Sequence, residues 1–142
     1  MSDAAGILLL IGRVLFSVFF LFSGLGFHIA KSGMAEQYAR SMGFPLASLA
    51  GWPTGAWMVA GALSVALGIW PDIGLLMLIA FALPAALFFH RFWKMEGEMA
   101  QTQQQLFFRN VIIVGGALAL FALFASAGDA LRYVITAPVF RF

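Results

Sequence analysis

Histidine is the residue type in this sequence with the widest chemical range, and it occurs twice, as His28 and His90. Each histidine ends a long apolar stretch, so both are expected on the same side of a membrane, where they could face one another. Facing imidazoles can ligate haem iron or hydrogen-bond a quinone carbonyl. The alternative is that both are amphipathic side chains at the lipid interface. Neither has a carboxylate or second histidine at ligand spacing, so no metal site is predicted.

Arg13 is the one charged residue deep inside an apolar stretch, about two helical turns from its start. Its long side chain can reach the nearer interface. Alternatively, it is a fixed charge that pairs with a carboxylate or binds an anionic or quinone head group. Trp93, close to His90, completes the candidate site, although tryptophans at span ends are also typical of an aromatic belt. The predicted cofactor-binding residues are Arg13, His28, His90 and Trp93, with a quinone as the candidate cofactor, and no catalytic residue is predicted.

The composition indicates that lipid surrounds most of the chain. Hydrophobic residues make up 63% of the 142 residues and charged residues 10%, with a mean hydropathy of +0.97. A soluble domain usually carries about 25% charged residues. The absence of cysteine excludes disulfides and thiolate chemistry from this chain. No phosphate loop, nucleophile elbow or dinucleotide fingerprint is present. Nucleic acid is not an expected partner, because no basic stripe with interleaved aromatic residues occurs.

Four apolar stretches predict an all-α membrane protein, an antiparallel bundle of four transmembrane helices in a single domain of residues 1–142. Crossing about 30 Å of hydrocarbon needs roughly 20 residues, so the second and third stretches are short. The tight turn Trp70-Pro71-Asp72 makes those two antiparallel neighbours. We predict an interfacial helix within KSGMAEQYARSMGFP, between spans one and two, and an interfacial or partner-bound tail. Residues 90–105 are predicted to form a polar helical extension of span three and a turn into span four. Both termini are expected on the same side of the membrane. The sequence leaves open which side of the membrane that is. The predicted spans are residues 6–27, 54–70, 73–89 and 106–127, and the tail is residues 128–142.

Small and amide residues within the spans are candidates for helix packing. Glycine permits close helix contact, and asparagine can join two helices through hydrogen bonds. Pro84, within the third span, is expected to kink it. The residues assigned to helix packing are Gly24, Gly61, Asn110, Gly115 and Gly116.

Five short segments occur in a fixed order from about Ile11 to Leu120. They are GRVLFSVFFLFSGLG with Arg13 and Gly24, EQYARSMGFP with Tyr38, Gly43 and Pro45, the span-closing Gly68, HRFW with His90 and Trp93, and FFRNVIIVGGALAL with Asn110, Gly115 and Gly116. In this order and spacing the segments resemble the DoxX family of small four-helix membrane proteins. The resemblance implies a four-helix membrane fold in the plasma (inner) membrane. Some relatives are associated with thiosulfate:quinone oxidoreduction, and others with membrane complexes that link oxidative stress to thiol chemistry.

The chain departs from the family pattern at three places. Relatives commonly have a glutamate early in span two, where this chain has Met58. A lysine often follows the span-one glycine, where this chain has Phe27 and then His28. A basic residue common after span two is replaced by Asp72. Arg13 therefore lacks its most natural carboxylate partner, and the proton or electron chemistry that the glutamate supports in relatives is not expected here.

These observations leave three functions open. The first is a non-catalytic accessory or structural subunit of a larger membrane complex, with lipid and other subunits as partners. The second is a quinone-linked redox enzyme subunit that receives electrons from a partner. The third is a carrier of a lipid or small hydrophobic solute.

Overall fold

The computed structural model describes residues 1–142 and contains helices but no β-strand. Two π-helical turns extend α-helices: Gly24–Ile29 continues the first, and Ala85–Phe89 continues the fourth. Single 3-10 turns occupy Ala47–Leu49, Phe92–Lys94 and Gly128–Ala130. The five α-helices are α1 (Asp3–Ser23), α2 (Ser32–Ser41), α3 (Trp52–Leu67), α4 (Pro71–Pro84) and α5 (Gly97–Ala127).

Three helical segments, Asp3–Ile29, Pro71–Lys94 and Gly97–Ala130, are long and apolar enough to cross a membrane. The remaining apolar helix, α3, has 16 residues, which is about 24 Å of helix and less than the roughly 30 Å of hydrocarbon. The structure therefore has three helices of spanning length and one shorter apolar helix, where the sequence predicted four spans. The predicted second span ended too late, because α3 stops at Leu67 and Gly68 adopts a left-handed conformation with φ +70°.

The polar segment before the last span is placed differently from the prediction. We expected residues 90–105 to extend span three and then turn into span four. The chain instead turns between His90 and Glu96, and the glutamine-rich residues belong to the first turns of α5, which starts at Gly97. The last span is therefore the end of one 31-residue helix. Glycine suits this start, because Gly97 has φ +63°.

The helices pack in the series α1–α3–α4–α5. Glycines face one another at the first two crossings, Gly24 with Gly55 and Gly61 with Gly74. A Cβ atom at Gly55 would lie 2.9 Å from the Gly24 carbonyl oxygen, and one at Gly74 would lie 2.7 Å from the Gly61 carbonyl oxygen. Such close approach is possible only where a side chain is missing. The core between these helices consists of fully buried residues that include Phe20, Met58, Val65, Leu75, Leu78 and Phe124.

The C-terminal tail folds back onto the end of the bundle where the chain begins. Its backbone amides at Ile135 and Thr136 donate to the Gly68 carbonyl oxygen at 2.9 and 3.0 Å. Arg132 forms an ion pair with Asp3. Both termini therefore lie at the same end of the bundle, and α2 lies across the other end. The predicted interfacial helix corresponds to α2, whose Ala35 and Ala39 are buried.

Candidate functional site

A cavity of about 500 Å³ lies beneath α2, at the end of the bundle opposite the termini. Of its 20 lining residues, 13 are hydrophobic. Phe19, Trp57 and Phe81 form its deeper part, and α2 with the segment after it forms the roof. Its polar residues are Ser23, His28, Thr54, His90, Arg109 and Asn110. His28 and His90 lie at the roof end, whereas Arg109 packs on Phe19 in the deeper part.

His28 enters the cavity wall from the π-helical turn that ends α1. This wider turn changes the direction in which side chains point relative to the preceding α-helix. The Nδ1 atom of His28 donates a hydrogen bond to the Ala50 carbonyl oxygen at 2.5 Å. Because a carbonyl can only accept, Nδ1 carries the proton and Nε2 of the neutral ring is an acceptor. The ring stands edge-on to Phe81, with centroids 5.5 Å apart.

His90 follows the second π-helical turn, Ala85–Phe89, just beyond Pro84. Proline cannot donate a helical hydrogen bond, so the regular α-helix is interrupted there. His90 Nδ1 lies 2.8 Å from the Gln103 side-chain oxygen. With that oxygen as acceptor, Nδ1 is again protonated and Nε2 is the free nitrogen. Both histidines are therefore held through Nδ1 and line the same cavity.

Arg109 and Asn110 bring α5 into the cavity wall. The Arg109 guanidinium carbon lies 5.1 Å from the centroid of the Phe19 ring, a cation–π arrangement that joins α5 to α1. Asn110 is only 3% exposed, and its amide Nδ2 donates to the Leu106 carbonyl oxygen at 3.0 Å. The sequence predicted that Asn110 joins two helices. In the structure its side chain bonds to its own helix instead. Arg109 was not among the predicted site residues.

The roof of the cavity is formed largely by α2. Tyr38 stacks on Phe89, with ring centroids 5.7 Å apart and an interplanar angle of 27°. Burial raises the pKa of the Tyr38 hydroxyl above its usual value, because the neutral form is favoured away from water. The hydroxyl is therefore protonated at neutral pH and can donate a hydrogen bond. Phe44 packs edge-on against Phe88, 5.2 Å away, and connects the roof to the end of α4.

Arg13 lies outside this cavity, at the opposite end of the bundle. It is 1% exposed, and its Nη2 atom donates to the Tyr133 carbonyl oxygen. Its Nε and Nη1 atoms have no protein partner, nor has the hydroxyl of Ser17 one turn further along α1. Met58 is fully buried in the core. Arg13 is therefore a buried cation without a carboxylate partner.

Trp93 also lies outside the cavity wall. It is 52% exposed and packs edge-on against Phe107, with ring centroids 5.7 Å apart. Of the four predicted cofactor residues, the structure brings together His28 and His90, while Arg13 and Trp93 lie elsewhere.

The glycines predicted to support packing fall into two groups. Gly24 and Gly61 lie at close helix crossings. Gly115 is exposed, and a Cβ atom there would meet no atom within 4 Å. A Cβ atom at Gly116 would lie 3.8 Å from the Phe16 ring, an ordinary contact distance. The sequence did not identify Gly55 and Gly74, which face Gly24 and Gly61 at these crossings.

Helices of spanning length, large apolar side chains on the outer surface and a cavity between the helices define a small helical integral membrane protein. The DoxX family model matches residues 8–91, more than half of the chain. The chain therefore belongs to the DoxX family. This match ends before α5, whereas the segments noted in the sequence continue to Leu120.

The chain is also similar to the inner membrane protein YphA of Escherichia coli (strain K12). The two are 29% identical over 117 residues, which cover 82% of this chain and 83% of YphA. No solved structure matches the chain significantly.

Proposed function

We propose that this protein is a membrane subunit that binds a quinone in the cavity beneath α2. The observation that carries this proposal is one cavity of about 500 Å³, lined mostly by hydrophobic residues, with His28 and His90 at its roof end. Sites for small organic ligands are typically about 300–1,000 Å³, mostly apolar, with a few polar groups that fix orientation. A quinone matches this distribution, because its ring and tail are apolar and its two carbonyl oxygens accept hydrogen bonds.

The cavity offers suitable donors for quinone oxygens. The Arg109 guanidinium and the Tyr38 hydroxyl can donate to quinone oxygens, whereas Nε2 of each neutral histidine ring can accept from a hydroxyl of the reduced quinol. Since Nδ1 of both rings is already engaged within the protein, the ring orientation is fixed before a ligand arrives. Such preorganisation lowers the entropy cost of binding.

We further propose that the subunit is accessory and does not carry out the redox reaction alone. The chain has no cysteine, and Met58 replaces the glutamate common in relatives. Electrons would therefore pass between the bound quinone and a partner subunit. Mild detergent extraction followed by mass spectrometry should recover defined membrane partners. Recovery of the protein alone after gentle cross-linking would contradict the accessory role.

We also propose an inner-membrane location with four crossings. The location is supported by the similarity to YphA, which is named as an inner membrane protein. The fourth crossing is α3, which packs between α1 and α4 along most of its length. The tail docks below the end of α3 at Gly68 and compensates for the short helix. Cysteine accessibility at Leu46 and Trp70, which precede and follow α3, should place these two positions on opposite sides of the membrane.

Quinone binding can be tested with Trp57, which lines the cavity. In lipid nanodiscs, decylubiquinone should quench tryptophan fluorescence saturably, and a Trp57→Phe variant should lose that saturable component. A Trp70→Phe variant is the matched control, because Trp70 lies at the opposite end and should leave the quenching unchanged. The proposal would be overturned if the wild type showed no saturable quenching, or if the saturable quenching survived the Trp57 substitution.

A further inference from the structure

We propose that the ligand reaches the cavity sideways from the bilayer, through a portal between α1 and α5 that is gated by Phe19 and Arg109. This inference rests on the proposed function of the same cavity and adds the route of access. It commits to a ligand that is dissolved in lipid and enters with its polar head near the membrane interface.

The first observation concerns the main-chain packing between the helices of the bundle. Successive helices in the series α1–α3–α4–α5 pack closely, but its two ends, α1 and α5, have no comparable main-chain packing. Side chains bridge the gap instead, through Phe16 opposite Gly116 and through Arg109 above Phe19. Side chains can change rotamer without disrupting a helix. This seam is therefore the side of the bundle that opens at the lowest cost.

The second observation is that Arg109 belongs to two cavities. It lines the inner cavity together with His28 and His90. It also lines an outer groove of about 500 Å³ on α5, formed with Gln104, Gln105, Phe108, Ile112 and Ile113. The outer groove faces the surroundings, since Ile112 is 74% exposed. Arg109 thus separates a lipid-facing groove from the interior site.

The third observation is the depth of this seam. The portion of α5 before Leu106 is polar and the portion after it is apolar, so Arg109 lies near the boundary between head groups and acyl chains. His28 and His90 lie at the roof end of the inner cavity, and Phe19 and Phe81, each nine residues earlier along the same helical segment, lie deeper in the bundle. An amphiphile in the adjacent leaflet therefore has the orientation that the cavity requires. It can move sideways without turning over or crossing water.

The walls also restrict the charge of the ligand. Arg109 carries a permanent positive charge, and no aspartate or glutamate lines either cavity. A cationic head group would meet an unpaired like charge at the portal. Neutral or acidic amphiphiles are accepted, and cationic ones are excluded.

The absence of cysteine allows a site-directed test. Ile112 lines the outer groove, whereas its neighbour Val111 is exposed but lines neither cavity. Ile112→Cys and Val111→Cys variants, each keeping Trp57 as the only tryptophan, are labelled with a bulky maleimide. Vesicles loaded with decylubiquinone are then mixed with the protein in nanodiscs, and the rate of Trp57 quenching is recorded.

Labelling at position 112 should slow quinone loading by about tenfold, a barrier increase of about 1.4 kcal/mol, without changing the final extent of quenching. Labelling at position 111 should leave the rate unchanged. Equal rates for the two labelled variants would overturn the portal. So would selective slowing by a label on a Leu46→Cys variant, because Leu46 lies at the roof. Failure of the proposed function can be distinguished from failure of the portal. If the cavity bound no quinone, the unlabelled protein would show no saturable quenching at all.

Discussion

Arg13 near the start of α1 donates a hydrogen bond to the backbone carbonyl of Tyr133, a residue 120 positions later in the chain. This contact joins the first helix to the C-terminal tail. Two further groups hold the tail in place: Gly68 accepts from two of its amides, and Asp72 accepts from two others. Backbone polar groups inside a membrane must be satisfied within the protein. The tail is therefore part of the folded bundle and closes the end opposite the cavity.

Replacing Arg13 with methionine should leave thermal stability unchanged or raise it. The substitution loses one hydrogen bond but removes a buried charge whose Nε and Nη1 atoms have no partner. An unpaired buried charge is costly, and an apolar residue of similar size is often neutral or stabilising in its place. Thermal unfolding in detergent measures the effect. Arg132→Met is a suitable control, since its exposed ion pair with Asp3 should contribute at most about 1 kcal/mol. If Arg13→Met lost clearly more than about 1 kcal/mol of stability, the Arg13 charge would have to have a stabilising partner.

Replacing Asp72 with alanine should release the tail. The fully buried Asp72 carboxylate accepts from the amides of Val139 and Phe140 at 2.6 and 2.7 Å. Losing this acceptor oxygen should cost about 2–6 kcal/mol, because it leaves two amides unpaired and each buried unpaired amide costs about 1–3 kcal/mol. Trypsin cleavage after Arg132 reports tail release and should be faster in the variant. Asp72→Asn retains an acceptor oxygen and should show a smaller increase. Equal resistance of all three proteins to trypsin would contradict this role of Asp72.

The two glycine positions Gly55 and Gly115 should respond oppositely to alanine. A Cβ atom at Gly55 would lie 2.5 Å from an Ile29 side-chain carbon, so the α1–α3 crossing must widen. Overpacking of this kind costs typically about 1–3 kcal/mol. Gly115 is helical with open space around it, so alanine there should be neutral or stabilising by up to about 1 kcal/mol. Thermal unfolding of both variants in the same detergent tests the contrast, and equal destabilisation would contradict the packing described here.

The sequence was sufficient to predict the helical membrane fold because the apolar stretches are long and charged residues are few. It was not sufficient to assign the polar residues before Leu106 to α5. Their composition suits a polar extension of either neighbouring helix, and the turn depends on the positive φ of Gly97. The docking of the tail was also not predictable, since Asp72 and Gly68 meet it only in the folded chain. That dependence gives a structural reason for an acidic residue at position 72.

The candidate site was predicted in part. The positions of His28 and His90 at the ends of apolar stretches correctly indicated a shared location. The π-helical turns that carry His28 and precede His90 have no simple sequence signal, so the directions of the two rings were not predictable. Arg109 could have been recognised from its position at the apolar boundary of α5, on the same side as both histidines. Arg13 near the start of the first span and His28 at its end lie at opposite ends of the bundle, a separation that their positions along one helix already indicated.

His28 allows the structural and ligand-binding roles of one ring to be separated. An asparagine side chain can place its amide nitrogen near the position of Nδ1 and keep the bond to Ala50, but it lacks the atom equivalent to Nε2. Because Nε2 of the neutral ring can only accept, His28→Asn should weaken binding of the reduced decylubiquinol by about tenfold, or about 1.4 kcal/mol, with little change in unfolding temperature. His28→Gln places its amide near Nε2 instead, so it should retain more of the affinity and lose about 1 kcal/mol of stability with the Ala50 bond. Fluorescence titration and thermal unfolding of both variants measure the two effects. If the two substitutions change affinity and stability to the same extent, the assignment of separate roles to Nδ1 and Nε2 is wrong.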